Sequence, residues 1–348
     1  MTAEAKAGLE AAITEGVVPG LTAVAGDAGQ VSAVSACGVT RLGGPPVTEA
    51  TRYDLASLSK VVGTLPAVLA LVQAGELSLD DPVRRFFSQA GWLQTPSLGD
   101  ATLRQLLTHT AGLPAWKPLF ASAEGRLSAL ANTLQTPLAH PTGRVVYSDL
   151  GFILLGATVE RVSGLRLDVF TRDHVFGPLG LTETSYGVPA GAAVAATEDC
   201  GWRGRLLEGE VHDENAFMFG GVAGHAGLFG TASDLARYAQ AWLRLDAPFA
   251  SAELLVEATR EHVGGKGSWG KGGRRGLGWL LPGPGSSAGQ YASSSAYGHT
   301  GFTGTSLWLD PVRGRFAVLL TNRVHPSRSC GEGIGALRVG FSDAVFGR

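Results

Sequence analysis

The chain has 348 residues, 45% of them hydrophobic and 17% charged, with a formal net charge of −2. This balance fits an ordinary globular enzyme and provides no field for a polyanion, so nucleic acid is not an expected partner. No stretch is apolar for long enough to span a bilayer, and Met1-Thr2-Ala3-Glu4-Ala5-Lys6 lacks the basic and apolar regions of a signal peptide. A cytoplasmic protein with no membrane attachment is expected.

Residues 3–15 read as a short amphipathic helix. Residues 20–39 alternate around Gly26-Asp27-Ala28-Gly29-Gln30 and predict a hairpin. Residues 60–74 predict a helix closed by Gly75, with Pro66 in conflict with an unbroken one. Asp80-Asp81-Pro82 opens a further helix. Thr102-Leu103-Arg104-Gln105 matches a capping box, and Gly112 and Pro114 close its helix. Residues 150–162 are apolar at helical spacing, with Ser148 or Asp149 as N-cap and Gly164 beyond. Residues 231–245 form an amphipathic helix. Residues 305–310 and 315–322 are strands, and 331–346 a last helix. Strands thus cluster at both ends of the chain and helices fill the middle. The expected class is α+β: a sheet lobe from residues 1–78 and 212–348, a helical lobe from 79–211, and a cleft between them.

Ser57-Leu58-Ser59-Lys60 carries the strongest chemical signal. Positions i and i+3 share a helix face, so the Ser57 hydroxyl and the Lys60 amine become neighbours. A serine hydroxyl needs a base within reach to act as a nucleophile, and a lysine with a lowered pKa supplies one. Ser57 at a helix start also meets unpaired N–H groups suited to an oxyanion. Tyr147, before the helix of residues 150–162, is a candidate proton relay. His299-Thr300-Gly301 leads into the last strands, where Gly301 would let a substrate approach the sheet edge closely and the Phe302 N–H is a candidate second oxyanion donor.

Other patterns carry less. Ser268-Trp269-Gly270-Lys271 repeats the tetrad inside a glycine-rich run. Gly285-Ser286-Ser287-Ala288-Gly289 matches an esterase elbow but lies in a loop context. Residues 265–271 match part of a P-loop with Gly272 where serine or threonine is needed. Lys266, Lys271, Arg274 and Arg275 with Trp269 read as a solvated basic loop. His212-Asp213-Glu214 and His225 fit no metal spacing and read as a structural loop near the cleft. Cys37, Cys200 and Cys330 form no C-x-x-C pair. No metal, cofactor or obligate protein partner is expected.

Taken in order, Ser57-x-x-Lys60, Tyr147-x-Asp149 and His299-Thr300-Gly301 resemble the S-x-x-K, Y-x-N and K-T-G or H-x-G motifs of the serine β-lactamase and penicillin-binding-protein superfamily, on its class C-like side, which includes family VIII carboxylesterases. The similarity extends from about Val17 to Val324, through Leu106-Leu107-Thr108-His109-Thr110-Ala111-Gly112 and Val211-His212-Asp213-Glu214-Asn215-Ala216. The resemblance implies a β-lactamase/transpeptidase-like fold, an antiparallel sheet flanked by terminal helices plus a helical lobe. It implies acyl-enzyme chemistry with Ser57 as nucleophile, Lys60 as its base partner and Tyr147 as shuttle. Asp149, His299, Thr300, Gly301 and Phe302 would meet a small-molecule substrate.

Two departures bear on substrate. Asp149 stands where the pattern holds an asparagine that donates to an acyl amide. A carboxylate only accepts, and it would pair with Lys60 and raise that amine. His299 stands where a lysine usually helps bind a carboxylate. Both favour small carboxylic esters over the alternatives, β-lactams and D-alanyl-D-alanine peptides. A catalytically silent binding module on the same scaffold is the lesser alternative.

Overall fold

Asp27 closes the first hairpin. Its Oδ1 accepts from the N–H groups of Gly29 and Gln30 at 2.8 and 2.9 Å, turning β1 (Gly20–Asp27) into β2 (Val31–Gly38). The computed structural model describes residues 3–88, 96–264 and 273–347. Short strands follow along the chain: β3 (Tyr53–Asp54), β4 (Ser185–Tyr186), β5 (Asp199–Cys200), β6 (Arg205–Leu206) and β7 (Leu228–Gly230). The last strands are β8 (Arg274–Arg275), β9 (Leu280–Leu281), β10 (Tyr297–Thr300), β11 (Ser306–Asp310) and β12 (Arg315–Thr321). The hairpin and these last strands make one antiparallel sheet of order β2-β1-β12-β11-β10-β9-β8. Its central register sets Val24 against Val318 and Leu307 against Val318.

The two-residue period of a strand sorts this sheet's side chains onto two faces. Leu21, Ala23, Ala25, Trp308, Ala317 and Leu319 bury against the terminal helices Ala3–Thr14 and Ile334–Phe346. Val24, Leu307, Leu309, Phe316, Val318 and Leu320 enter the larger core on the other face. Helix Ala232–Arg244 lies there, capped by Thr231, whose side chain accepts from Asp234 N–H. Helix Asp149–Ser163 runs through the middle of the helical part. All ten residues from Leu150 to Val159 are buried, so it is surrounded rather than one-sided. We propose the lobe division 1–78 with 212–348 against 79–211 on this topology. Among the described residues no helix is long and apolar enough to cross a membrane.

Three expectations differ in detail. The helix after Ser57 is not a regular α-helix: residues Lys60–Thr64 wind as a wide π turn that runs on into the α-helix Leu65–Gln73. Pro66 follows that turn directly, and the Val61 carbonyl one turn back accepts from the Tyr238 hydroxyl at 2.5 Å. The capping box at Thr102 and Gln105 forms with both bonds, yet its helix ends at Leu107, before Gly112 and Pro114. Thr108 Oγ1 folds back on the Arg104 carbonyl at 2.8 Å and His109 turns left-handed at φ 58°. The helix opened by Asp80-Asp81-Pro82 is a single turn, Arg84–Phe87.

Candidate active site

The segment before Ser57 is held from several sides. β3 pairs with β7, Tyr53 opposite Gly230 and Asp54 opposite Phe229. The buried Asp54 carboxylate accepts from Ala56 N–H at 2.8 Å and from His212 N–H at 2.7 Å. Ala56 adopts φ 46°, a region that a residue with a Cβ occupies only when its surroundings fix it. The chain then winds tightly, with N–H groups of Leu58, Ser59 and Lys60 donating to the carbonyls of Leu55, Ala56 and Ser57 at 3.0, 3.0 and 3.1 Å. This turn presents Ser57 to the cleft and sends Lys60 inward.

Lys60 is fully buried, and its Nζ meets three acceptors: Ser57 Oγ at 2.9 Å, the His225 carbonyl at 3.0 Å and Asp149 Oδ1 at 2.7 Å. The first two are hydrogen bonds donated by the ammonium, and the Asp149 carboxylate stands beside it as the counter-charge. Burial alone would lower the amine; the Asp149 carboxylate and the Tyr147 phenol override it and leave the pKa raised. The pairing expected from the departure at Asp149 is therefore present. The His225 carbonyl reaches Lys60 because the Gly220–Gly230 run crosses helix Asp149–Ser163 with almost no gap. A Cβ on Gly224 would stand 1.9 Å from the Phe152 carbonyl, and one on Gly156 would stand 2.9 Å from Gly224 Cα.

Tyr147 donates its hydroxyl to Ser57 Oγ at 2.9 Å, and its ring centre is 5.1 Å from Lys60 Nζ. Residues 57, 60 and 147 thus converge on one oxygen. Burial pushes the phenol up, partly opposed by Lys60. The tyrosine is set by its neighbours. Ser148 N–H donates to His109 Nδ1 at 3.0 Å, and the His109 ring lies 4.7 Å from that of Tyr147. Burial, and after it Arg275 and Lys60, hold His109 well below the usual imidazole range, so it is neutral. Ser148 occupies the N-cap position, but its hydroxyl donates to the Pro114 carbonyl at 2.7 Å instead of capping the helix.

The His299–Phe302 edge is tied to the same turn. Thr303 Oγ1 donates to Asp54 O at 2.7 Å and Thr305 Oγ1 to Leu55 O at 3.1 Å. Gly301 is required here for a reason different from close passage of a substrate. A Cβ would stand 2.1 Å from Thr305 Oγ1 and 2.7 Å from Leu55 O, within the protein itself. His299 Nδ1 donates to Thr300 O at 2.8 Å, so Nε2 carries an open lone pair; no partner meets it among the described residues. Burial, then Arg275 and Lys60, keep His299 neutral.

These groups line a cavity of about 770 Å³ with Ser57, Tyr147, Asp149, His299, Thr300, Gly301 and Phe302 on its walls. Sequence reasoning missed its cationic side. Arg275, read as part of a solvated loop, is buried, stands 5.3 Å from the Tyr147 ring centre, and is lowered to about 10 by burial. Arg338, from the last helix, donates to Gly301 O and Thr305 O at 2.7 and 2.9 Å, and Arg323 donates to Phe302 O at 2.9 Å. No local pattern marks these arginines, since long-range packing alone brings them in. His212, Asp213 and Glu214 do lie at the cleft: Asp213 accepts from the His225 ring at 2.8 Å, and Glu214 pairs with Arg328 at 2.7 Å. No cluster suited to a metal ion occurs among the described residues.

The G-x-S-x-G match takes no part in lining this cavity. Ser287 of the G-x-S-x-G match accepts from Trp308 Nε1 at 3.0 Å, a packing role. Ser268, Lys266, Lys271 and the P-loop match lie outside the described residues. Arg274 pairs with Glu261 at 2.5 Å.

A serine, a buried lysine and a tyrosine on one oxygen, between an antiparallel sheet and a helical bundle, define a serine hydrolase of the β-lactamase kind. The family model "Beta-lactamase" matches residues 6–338, and the chain belongs to that family. It is 34% identical over 318 residues to a protein of Escherichia coli K12 named "Putative D-alanyl-D-alanine carboxypeptidase", covering 80% of this chain and 70% of that one. It is 33% identical over 312 residues to the "N-acetylmuramyl-L-alanine amidase" of Bacillus subtilis 168, covering 79% and 68%. Among solved structures it resembles EstCE1, a hydrolase with promiscuous acyltransferase activity, with a TM-score of 0.80 at 23% identity over 98% and 97% of the two chains.

Proposed function

We propose that the enzyme works through an acyl-enzyme on Ser57, with small carboxylic esters as its preferred substrates. The convergence of Lys60 Nζ and Tyr147 OH on Ser57 Oγ, each at 2.9 Å, carries the reading. Ser57 Oγ attacks the acyl carbon while its proton passes to the Lys60–Tyr147 pair. The Ser57 and Phe302 N–H groups are the proposed oxyanion donors. Collapse of the tetrahedral adduct breaks the bond to the leaving oxygen, and Tyr147 returns the proton to it. Water then attacks the Ser57 ester by the same route and frees the acid. The raised pKa of Lys60 makes the neutral amine a minority form near pH 7, so turnover climbs with alkalinity.

Two features support esters. Asp149 supplies no donor for the carbonyl of an acyl amide, and its Oδ1 already faces Lys60 at 2.7 Å. The open His299 Nε2 is also an acceptor and repels a substrate carboxylate. With this goes the cytosolic place of action expected above, which fractionation checks. A second reading, a D-alanyl-D-alanine carboxypeptidase or β-lactamase, draws support from Arg275 in the cavity wall, a fixed cation suited to an anionic substrate, and from the name of the Escherichia coli relative. Measuring kcat/KM for p-nitrophenyl acetate, a D-alanyl-D-alanine peptide and benzylpenicillin decides. An ester preference supports the first reading and a peptide or penicillin preference the second. Retention of ester turnover by Ser57→Ala refutes both.

A further inference from the structure

An exposed run of aromatic rings beside the cleft takes no part in the chemistry above. Trp116 is 47% exposed and lines the cavity. Its own segment is close to the chemistry, since Ala115 O accepts from Asp149 N–H at 3.0 Å. From Trp116 the rings lead away over the helical side: 6.2 Å to Phe120, 5.0 Å from Phe120 to Trp202 and 6.0 Å from Trp202 to Phe217, between ring centres. Trp202 is 50% exposed. Large rings left half in water forgo burial energy, and a contiguous exposed set of them marks a contact surface.

The strip is built rigidly. Arg203, its side chain 2% exposed, stands 4.3 Å from the Phe217 ring centre and 5.3 Å from that of Trp202. It is fixed by Glu210 at 2.8 Å and by the carbonyls of Val211 and His212 at 2.5 and 3.2 Å. Buried Asn215 accepts from Phe120 N–H at 3.1 Å and donates to Lys117 O at 2.9 Å, tying the Trp116–Phe120 segment to the helix that carries Phe217. These polar groups are committed within the protein. A sugar stacked here would need accessible polar partners beside the rings, but the bonded groups of Arg203 and Asn215 serve the protein and the unpaired Arg203 Nε is buried. An apolar ring needs only the faces.

We propose that this strip is a subsite for an apolar, ring-bearing arm of the substrate, continuous with the Ser57 cavity through Trp116. The proposal rests on the acyl-enzyme reading for its placement and adds the substrate class. Boronic acids test it, because the boron adds to a serine oxygen and leaves a single arm free to find its surface. For the wild type, 4-phenylbutylboronic acid should inhibit about tenfold more strongly than methylboronic acid, and Trp202→Ala or Trp116→Ala should remove most of that advantage, with methylboronic acid inhibition unchanged in Trp202→Ala. An arm that gives no advantage, or an advantage intact in both variants, overturns the proposal. Calorimetric titration of Ser57→Ala with 4-phenylbutanamide separates the two readings. If boronates fail to act at Ser57 but the amide binds and Trp202→Ala abolishes its binding, the acyl-enzyme reading falls and the strip stands. If the amide does not bind, or a methyl glycoside of N-acetylglucosamine binds in its place, the strip proposal falls.

Discussion

Asp149 Oδ1 lies 2.7 Å from Lys60 Nζ, at a position where the motif of this family holds a neutral amide. The carboxylate is the counter-charge of the buried amine and raises its pKa against the pull of burial. Lys60, the proposed partner of Ser57, is therefore held as an ammonium, and the consequences can be measured.

Replacing Asp149 with Asn removes that charge and leaves burial as the dominant influence on Lys60. Burial favours the neutral amine, so the rising limb of the kcat/KM profile against pH should move down by about one to three pH units. Ester turnover at pH 7 should rise accordingly. The restored amide donor should also speed acylation by benzylpenicillin. Profiles for both forms check this; a limb that stays in place removes Asp149 from control of Lys60.

Tyr147→Phe deletes the hydroxyl that meets Ser57 Oγ at 2.9 Å and keeps the ring beside His109. Ester kcat should fall by about 10²- to 10⁴-fold with little change in Tm. A loss below about threefold would remove the phenol from proton transfer.

Arg275→Gln separates anionic from neutral substrates. If a substrate carboxylate rests on Arg275, kcat/KM for the D-alanyl-D-alanine peptide and for penicillin should drop by about ten- to a hundredfold, while p-nitrophenyl acetate holds within about threefold. Equal losses on all three would mean that the guanidinium acts through Tyr147, 5.3 Å away, and not on the ligand.

Much of this site was legible from residues alone because it rests on local spacing. Ser57 and Lys60 share a turn, Tyr147 precedes a helix whose apolar run is plain, and an aspartate at 149 next to a buried amine has one predictable electrostatic effect. The terminal strands were legible from alternation, and the helix at 232–244 from its capped amphipathic pattern. The π turn that accommodates Pro66 was not expected because no residue type marks it. Arg275, Arg323 and Arg338 were missed because each reaches the cavity from a distant element, and an arginine beside glycines and lysines reads as solvated. Gly301 was expected as an opening for substrate, yet the atoms that forbid its Cβ belong to Thr305 and Leu55.

That last point gives a stability test. Gly301→Ala sets a methyl 2.1 Å from Thr305 Oγ1 and 2.7 Å from a backbone carbonyl, so the strand edge must move. A destabilisation of about 1–3 kcal/mol in urea unfolding is expected, together with loss of turnover. An unchanged midpoint and rate would show that the edge yields freely.

Glu198 sets acid stability. Burial would raise its carboxyl, but the Arg328 guanidinium, bonded at 2.7 and 2.8 Å, holds it at about 2. A group depressed in the folded state stabilises above its unfolded pKa, and that stability is lost as pH falls from about 4.5 toward 2. Tm of the wild type should drop across this window, and Glu198→Gln should be less stable at pH 7 with a flatter acid limb. Parallel limbs would exclude the pair as the cause.

The central claim is that Ser57 is the atom that becomes acylated. Treating wild type and Ser57→Ala with a fluorophosphonate and mapping the adduct by peptide mass spectrometry tests it directly. One adduct on the peptide containing Ser57, absent from the variant, is the expected result. Labelling at another serine such as Ser287, or equal labelling of the variant, would contradict it.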